Sequence, residues 1–164
     1  MAGYNLAQGQ YENRTLSEDE MWSAFSNLFS SHSKNSSSYK FGFLKAIMDN
    51  LYNVDQKLTL TFDQLFCTFT EIYWNLVLKY GIRQQPVSKY SNGTYLEQML
   101  NATAARYTIT TDIPFESISD KAKVEVCRKI KNKCKINVVG ALFQDTKGLF
   151  YSFSRKEEWL QINP

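Results

Sequence analysis

The chain of 164 residues holds 19 Lys and Arg, 16 Asp and Glu and one His, for a formal net charge of +3. Apolar residues make up 43% and charged residues 21%, which suits one packed domain and excludes a disordered tail. A single histidine, His32, excludes a histidine-rich metal centre, and no apolar run approaches the ~18 residues needed to cross a bilayer.

Residues 1–14 are polar and irregular and read as a loose arm, without the apolar stretch of a secretory signal. Ser17 with Glu20 forms a capping-box pattern that opens a first helix. Its predicted stripe is Met21, Trp22, Phe25, Leu28 and Phe29. The Ser-rich link 30–38 ends it, and a Ser of that link caps a second helix with Phe41, Leu44, Ile47, Met48 and Leu51 inward. Thr61 with Gln64 opens the third helix. Its wide stripe of Phe62, Leu65, Phe66, Phe69, Ile72, Tyr73, Leu76, Val77 and Tyr80 marks it as the centre of a bundle. Gly81 closes it, and a loop with Pro86 follows. Asn92 or Thr94 starts a fourth helix that frays near Tyr107, and Ser117 or Ser119 caps a fifth over residues 120–134. Val138 to Phe143 then reads as a strand, residues 144–148 as a turn and Leu149 to Phe153 as the return strand, with Trp159 to Ile162 as a third. The expected class is mainly α (α+β). Residues 15–135 form a bundle of about five helices, and residues 136–164 form a hairpin and short strand in the same domain.

Charge is uneven. Residues 1–119 hold 9 basic against 11 acidic residues, and residues 120–164 hold 10 against 5. The excess lies in Lys121, Lys123, Arg128, Lys129, Lys131, Lys133 and Lys135. Helical geometry puts Lys121, Arg128 and Lys135 on one line and Lys129 and Lys133 on another. Such a face neutralises phosphates; the alternative is a solvated face whose last-turn lysines favour the helix dipole. A second cluster interleaves aromatic and polar side chains: Tyr39 and Lys40, then Tyr73, Trp74, Asn75 and Lys79, then Arg83, Gln84 and Gln85. These residue types stack on bases and read their edges, although Tyr and Trp on a helix also serve a core.

Catalytic patterns are absent. Asp19/Glu20 and Glu157/Glu158 are sequence neighbours, Asp63 and Glu71 lie eight apart without a companion, and His32 sits in the Ser-rich link. The odd cysteine count (Cys67, Cys127, Cys134) has no ligand or disulfide spacing and indicates core thiols in a reducing, cytoplasmic setting. Asn13, Asn35, Asn92 and Asn101 begin N-x-S/T triplets, which carry no meaning without a signal peptide. No cofactor or metal is expected. Asn163-Pro164 is a helix-start pair with no helix after it, which suggests a piece of a longer chain.

The stretches SSSYKFGFLKAIMDNLYNVD (36–55), LTFDQLFCTFTEIYWNLVLKYGIRQ (60–84), IPFESISDKAKVEV (113–126) and VVGALFQDTKGLFYSFSRKEEWLQINP (138–164) resemble the helical region preceding the nuclease motif in bacterial HNH endonuclease-like proteins. The histidines and asparagine of an HNH centre are not present, so the resemblance transfers no catalytic residue. It implies a non-catalytic region that engages double-stranded DNA or a partner and places a nuclease, in a host-defence or mobile-element setting. The rival expectations are a protein-interaction or homodimerisation module, to which the 15% aromatic content contributes an interface, and a small stand-alone regulator or inhibitor of a nucleic-acid enzyme.

Overall fold

The computed structural model describes residues 5–11, 14–30, 38–85 and 93–164. Expectations placed on residues 31–37 with His32, on Asn13, Asn35 and Asn92, and on Pro86 lie outside the described residues. The elements are β1 (Gln8–Gly9), α1 (Glu18–Phe29), α2 (Tyr39–Asp49), β2 (Thr59–Thr61), α3 (Phe62–Trp74), α4 (Tyr95–Arg106), α5 (Asp120–Cys134), α6 (Val138–Asp145), β3 (Tyr151–Ser154) and β4 (Trp159–Ile162). The class is mainly α with a small antiparallel sheet, as the sequence predicts.

Helix starts follow local chemistry. Ser17 with Glu20 and Thr61 with Gln64 form reciprocal capping boxes, and Thr94 with Glu97 forms a third at α4. Ser119 caps α5 by accepting from the Ala122 amide. Ser38 holds the N-cap position of α2, but its side chain makes no capping bond; its hydroxyl pairs with Tyr73 Oη at 2.9 Å and donates to the Gln84 carbonyl. A π-turn, Asn75–Lys79, extends α3, and Gly81 at φ +65° ends it, a conformation open to glycine without strain.

Helix α3 is the centre of the core. Phe62, Leu65, Phe66, Phe69, Tyr73 and Trp74 are all buried, a face too wide for one neighbour. Phe43 of α2 meets Phe66 and Phe69 at ring distances of 5.3 and 6.3 Å. Ala122, Val126 and Ile130 of α5 join the same core. Gly42 permits the α2–α3 approach, because a Cβ there would overlap the Tyr73 ring.

The C-terminal region departs from expectation. Val138–Phe143 is not a strand but most of α6, with Val138, Val139, Gly140, Ala141 and Leu142 all buried. A short run rich in Val fits both periods, and tertiary packing decides. Lys147 and Gly148, both at positive φ, turn the chain out of α6. The hairpin is β3–β4 instead, within a sheet of order β1-β3-β4-β2 whose neighbours are all antiparallel. Residues 8–9 of the expected loose arm pair with Ser154 and Phe153 as its edge strand, and the Arg155 amide donates to the Ala7 carbonyl.

The predicted stripes of α1 and α2 are only partly inward. Leu28, Leu44 and Ile47 are buried, whereas Trp22 is 70% exposed and Phe29, Met48 and Leu51 are also exposed. Tyr80, assigned to the α3 stripe, is exposed as well.

Candidate interaction surfaces

The basic helix is largely neutralised from within. Lys131 is buried and reaches Asp63 at 2.7 Å and Glu158 at 2.6 Å, while Lys135 pairs with Glu158 as well. Glu158 closes the β3–β4 turn at φ +58°, which places its carboxylate against α5. Burial alone would raise the Glu158 pKa, but the two lysines hold it below the usual carboxylate range. Burial likewise disfavours charge on Lys131, yet its two carboxylate partners raise its pKa. Glu125 takes Lys129 at 2.7 Å, Tyr107 Oη at 2.7 Å and Arg106 at 2.7 Å. Lys123 donates to the Glu116 carbonyl. Lys133 lies 5.6 Å from the Tyr95 ring centroid. Lys121 and Arg128 are exposed and have no carboxylate partner among the described residues.

The Glu125 cluster has a pH signature. The hydrogen bond from Lys129, with that from Tyr107 and the charge of Arg106, lowers its pKa from 4.5 to about 2. A depressed carboxylate adds stability above its unfolded pKa and loses it as pH falls through the folded one. Wild-type protein is therefore expected to exceed Glu125→Gln in urea stability at neutral pH, with the gap closing between pH 4.5 and about 2. A gap that stays constant over that window contradicts the assignment.

Much of the second cluster is buried in the core. Trp74 is fully buried, donates from Nε1 to the Ile113 carbonyl at 3.0 Å and meets Phe115 edge-on. Asn75 Oδ1 accepts from the Phe115 amide at 3.2 Å. Tyr73 is buried, and burial pushes its hydroxyl well above the ordinary range. Lys40 is buried and paired with Asp145. Tyr39 is half-buried against Phe69 and Tyr73. Arg83 lies 3.6 Å from Glu97, and Gln84 is buried, its amide donating to Glu97. The spacing that suggested stacking on bases is the spacing of a core that also seats its polar tips.

Asp63 bonds Lys131, whereas Glu71 lies in a polar cleft between α2 and α3 with Lys45, Asp49 and Asn53. Burial raises the Glu71 pKa, and the charges of Glu116 and Asp49 add to the effect. Among the described residues, no three His, Cys, Asp or Glu side chains are grouped to hold a metal, and no helix is long and apolar enough to span a membrane.

The surface that sequence reasoning missed is apolar. Phe41, Leu44, Met48 and Leu51 follow one another at three- and four-residue steps along α2 and the turn after it, over about 15 Å. On α1, Met21 and Phe25 face the same groove, of about 410 Å³, floored by Leu142, Leu149, Phe150 and Ile162. A second apolar depression continues it past Leu44 and Met48 to Phe41 and Phe29, whose rings stack at 5.1 Å. Phe29 ends α1 and Phe41 lies in the first turn of α2, while Met21 shares the far end of the groove with Leu51, so the two helices run antiparallel along it. Trp22 and Tyr52, 70% and 99% exposed, stand on the same two segments. The signal was present in the sequence as stripes too wide for one core, but periodicity does not tell which apolar residue faces the core and which faces outward.

Comparison of the chain with protein-family models, with curated proteins and with solved structures returns no match, and none links it to HNH endonuclease-like proteins.

Proposed function

We propose that the chain is a non-catalytic protein-interaction module whose α1–α2 groove receives an amphipathic helix of a partner protein. The observation that carries this reading is the apolar row Phe41, Leu44, Met48 and Leu51, with Met48 and Leu51 exposed, which faces Met21 and Phe25 across an apolar groove. Two antiparallel helices with parallel apolar stripes are two-thirds of a three-helix packing, and steps of three and four residues match the anchors of a helical ligand. Methionine at two positions of the lining lets the surface adapt to different side chains.

The test uses a synthetic amphipathic peptide with leucines at helical spacing and a scrambled peptide of equal composition. Trp22, exposed on α1, is the reporter. The leucine-striped peptide is expected to shift Trp22 emission to the blue and bind at least tenfold more tightly than the scrambled one. Met48→Asp should abolish the difference while leaving Tm nearly unchanged, since Met48 is 53% exposed. Equal binding of the two peptides, or full binding by Met48→Asp, refutes the reading.

A second reading keeps the sequence-level expectation of a nucleic-acid-engaging region of an HNH-type nuclease. It is favoured by Lys121, Arg128 and Lys133, which project from α5 without a carboxylate partner among the described residues. It requires an affinity for a random duplex that falls steeply with salt. Lys131 and Lys135 are unsuited to test it, because charge reversal at either would set a carboxylate against Glu158.

A further inference from the structure

Where α3 meets α5, Cys67 Sγ and Cys127 Sγ stand 3.5 Å apart, the Cys127 thiol donating to Cys67. Cys67 is exposed and Cys127 half-buried, whereas Cys134 is buried. We propose that Cys67 and Cys127 form a reversible oxidation site that closes to an intramolecular disulfide bridging α3 and α5. A disulfide spans about 2.05 Å, so the sulfurs have about 1.5 Å to travel. Rotation of two side chains on helices already in contact covers most of that distance.

The two thiols differ in a way that orders the reaction. The hydrogen bond from Cys127 lowers the Cys67 pKa to about 7, against burial and the charges of Glu71 and Asp63, with Lys123 assisting. The same bond and burial raise the Cys127 pKa. Cys67 is thus the accessible thiolate and Cys127 the resolving thiol. With glutathione disulfide as oxidant, the Cys67 thiolate attacks one glutathione sulfur and forms a mixed disulfide, and one glutathione thiolate leaves. Cys127 then gives up its proton and attacks Cys67 Sγ, and the second glutathione leaves. Two protein thiols lose two electrons and two protons, and one glutathione disulfide becomes two glutathione thiols. A reducing compartment keeps the pair as a dithiol, and an oxidising shift closes it.

The bridge would join positions 60 residues apart in sequence, and a cross-link of that span raises the unfolding temperature. The test equilibrates the native protein in glutathione buffers of increasing oxidised fraction, quenches with acid, alkylates free thiols and maps peptides by mass spectrometry. The expected result is a Cys67–Cys127 peptide lighter by two hydrogens, an alkylated Cys134, and a Tm several degrees above that of the reduced protein. Cys127→Ser should stop at the Cys67–glutathione mixed disulfide. Phenylarsine oxide, which bridges paired thiols, should protect both cysteines of the reduced wild type from alkylation and neither remaining cysteine of Cys127→Ser or Cys67→Ser. Wild-type protein that stays fully reduced, stops at a mixed disulfide on Cys67, or links Cys134 or a second chain instead overturns the proposal.

Discussion

Replacing Trp74 with alanine should cost about 3–5 kcal/mol, the range for deleting a fully buried large aromatic side chain. The cost has three sources. The indole is completely buried between α3 and the segment around Phe115. Its removal leaves a void in a close-packed core. It also strands the Ile113 carbonyl, which accepts from Nε1. Domains of this size have about 5–15 kcal/mol of stability, so the variant should unfold at a far lower urea concentration. Trp74→Phe keeps part of the packing and should lose less. Equilibrium urea denaturation followed by far-UV circular dichroism measures both. An unchanged midpoint for Trp74→Ala would return Trp74 to the surface and revive it as a base-stacking residue.

The second large effect belongs to Glu97. Its carboxylate is buried and accepts from the Gln84 amide at 2.8 Å and the Thr94 amide at 2.9 Å, with Arg83 at 3.6 Å. It therefore pins both ends of the connection between α3 and α4. Glu97→Ala leaves two buried amides without partners, at about 1–3 kcal/mol each, so a loss of about 2–6 kcal/mol is expected. Arg83→Ala should cost no more than about 1 kcal/mol, because the arginine is half-exposed and screened by solvent. The urea midpoints of the two variants give the contrast. Equal losses would mean that the ion pair, rather than the amide bonds, holds the connection.

Much of the fold was legible because it is written locally. Ser17–Glu20 and Thr61–Gln64 satisfy orphan amides by themselves, and the α3 stripe has one reading at a period of 3.6. Thr94–Glu97 follows the same rule, and its glutamate also closes a connection between helices, which no local pattern reveals. The run from Val138 was read as a strand because β-branched residues suit strands, yet residues Val138 to Leu142 are all buried in a helix, a continuous apolar run that periodicity cannot assign. β1 is two residues long and owes its existence to β3 rather than to its own sequence.

The functional surfaces were harder to read for a related reason. Net charge counts lysines, but it does not show that Lys131 and Lys135 converge on Glu158, a residue 23–27 positions away in sequence. Aromatic content counts rings, but it does not separate Trp74, which is core, from Trp22, which is outward. The cysteine spacing gave thiols and no pairing. The Cys67–Cys127 approach arises only because α3 and α5 pack, and helix packing is not encoded in the interval between two residues.

The central claim is the place of binding, so the most direct measurement is a map of it. Amide shifts of ¹⁵N-labelled protein would be recorded on titration with the leucine-striped peptide and, in a parallel sample, with a random DNA duplex. The account predicts that the peptide moves the amides of α1, α2 and the Leu51–Asn53 turn and leaves those of α5 in place. Peptide-induced shifts absent from α1 and α2, or a duplex that moves Lys121, Arg128 and Lys133 while the peptide moves nothing, would contradict it.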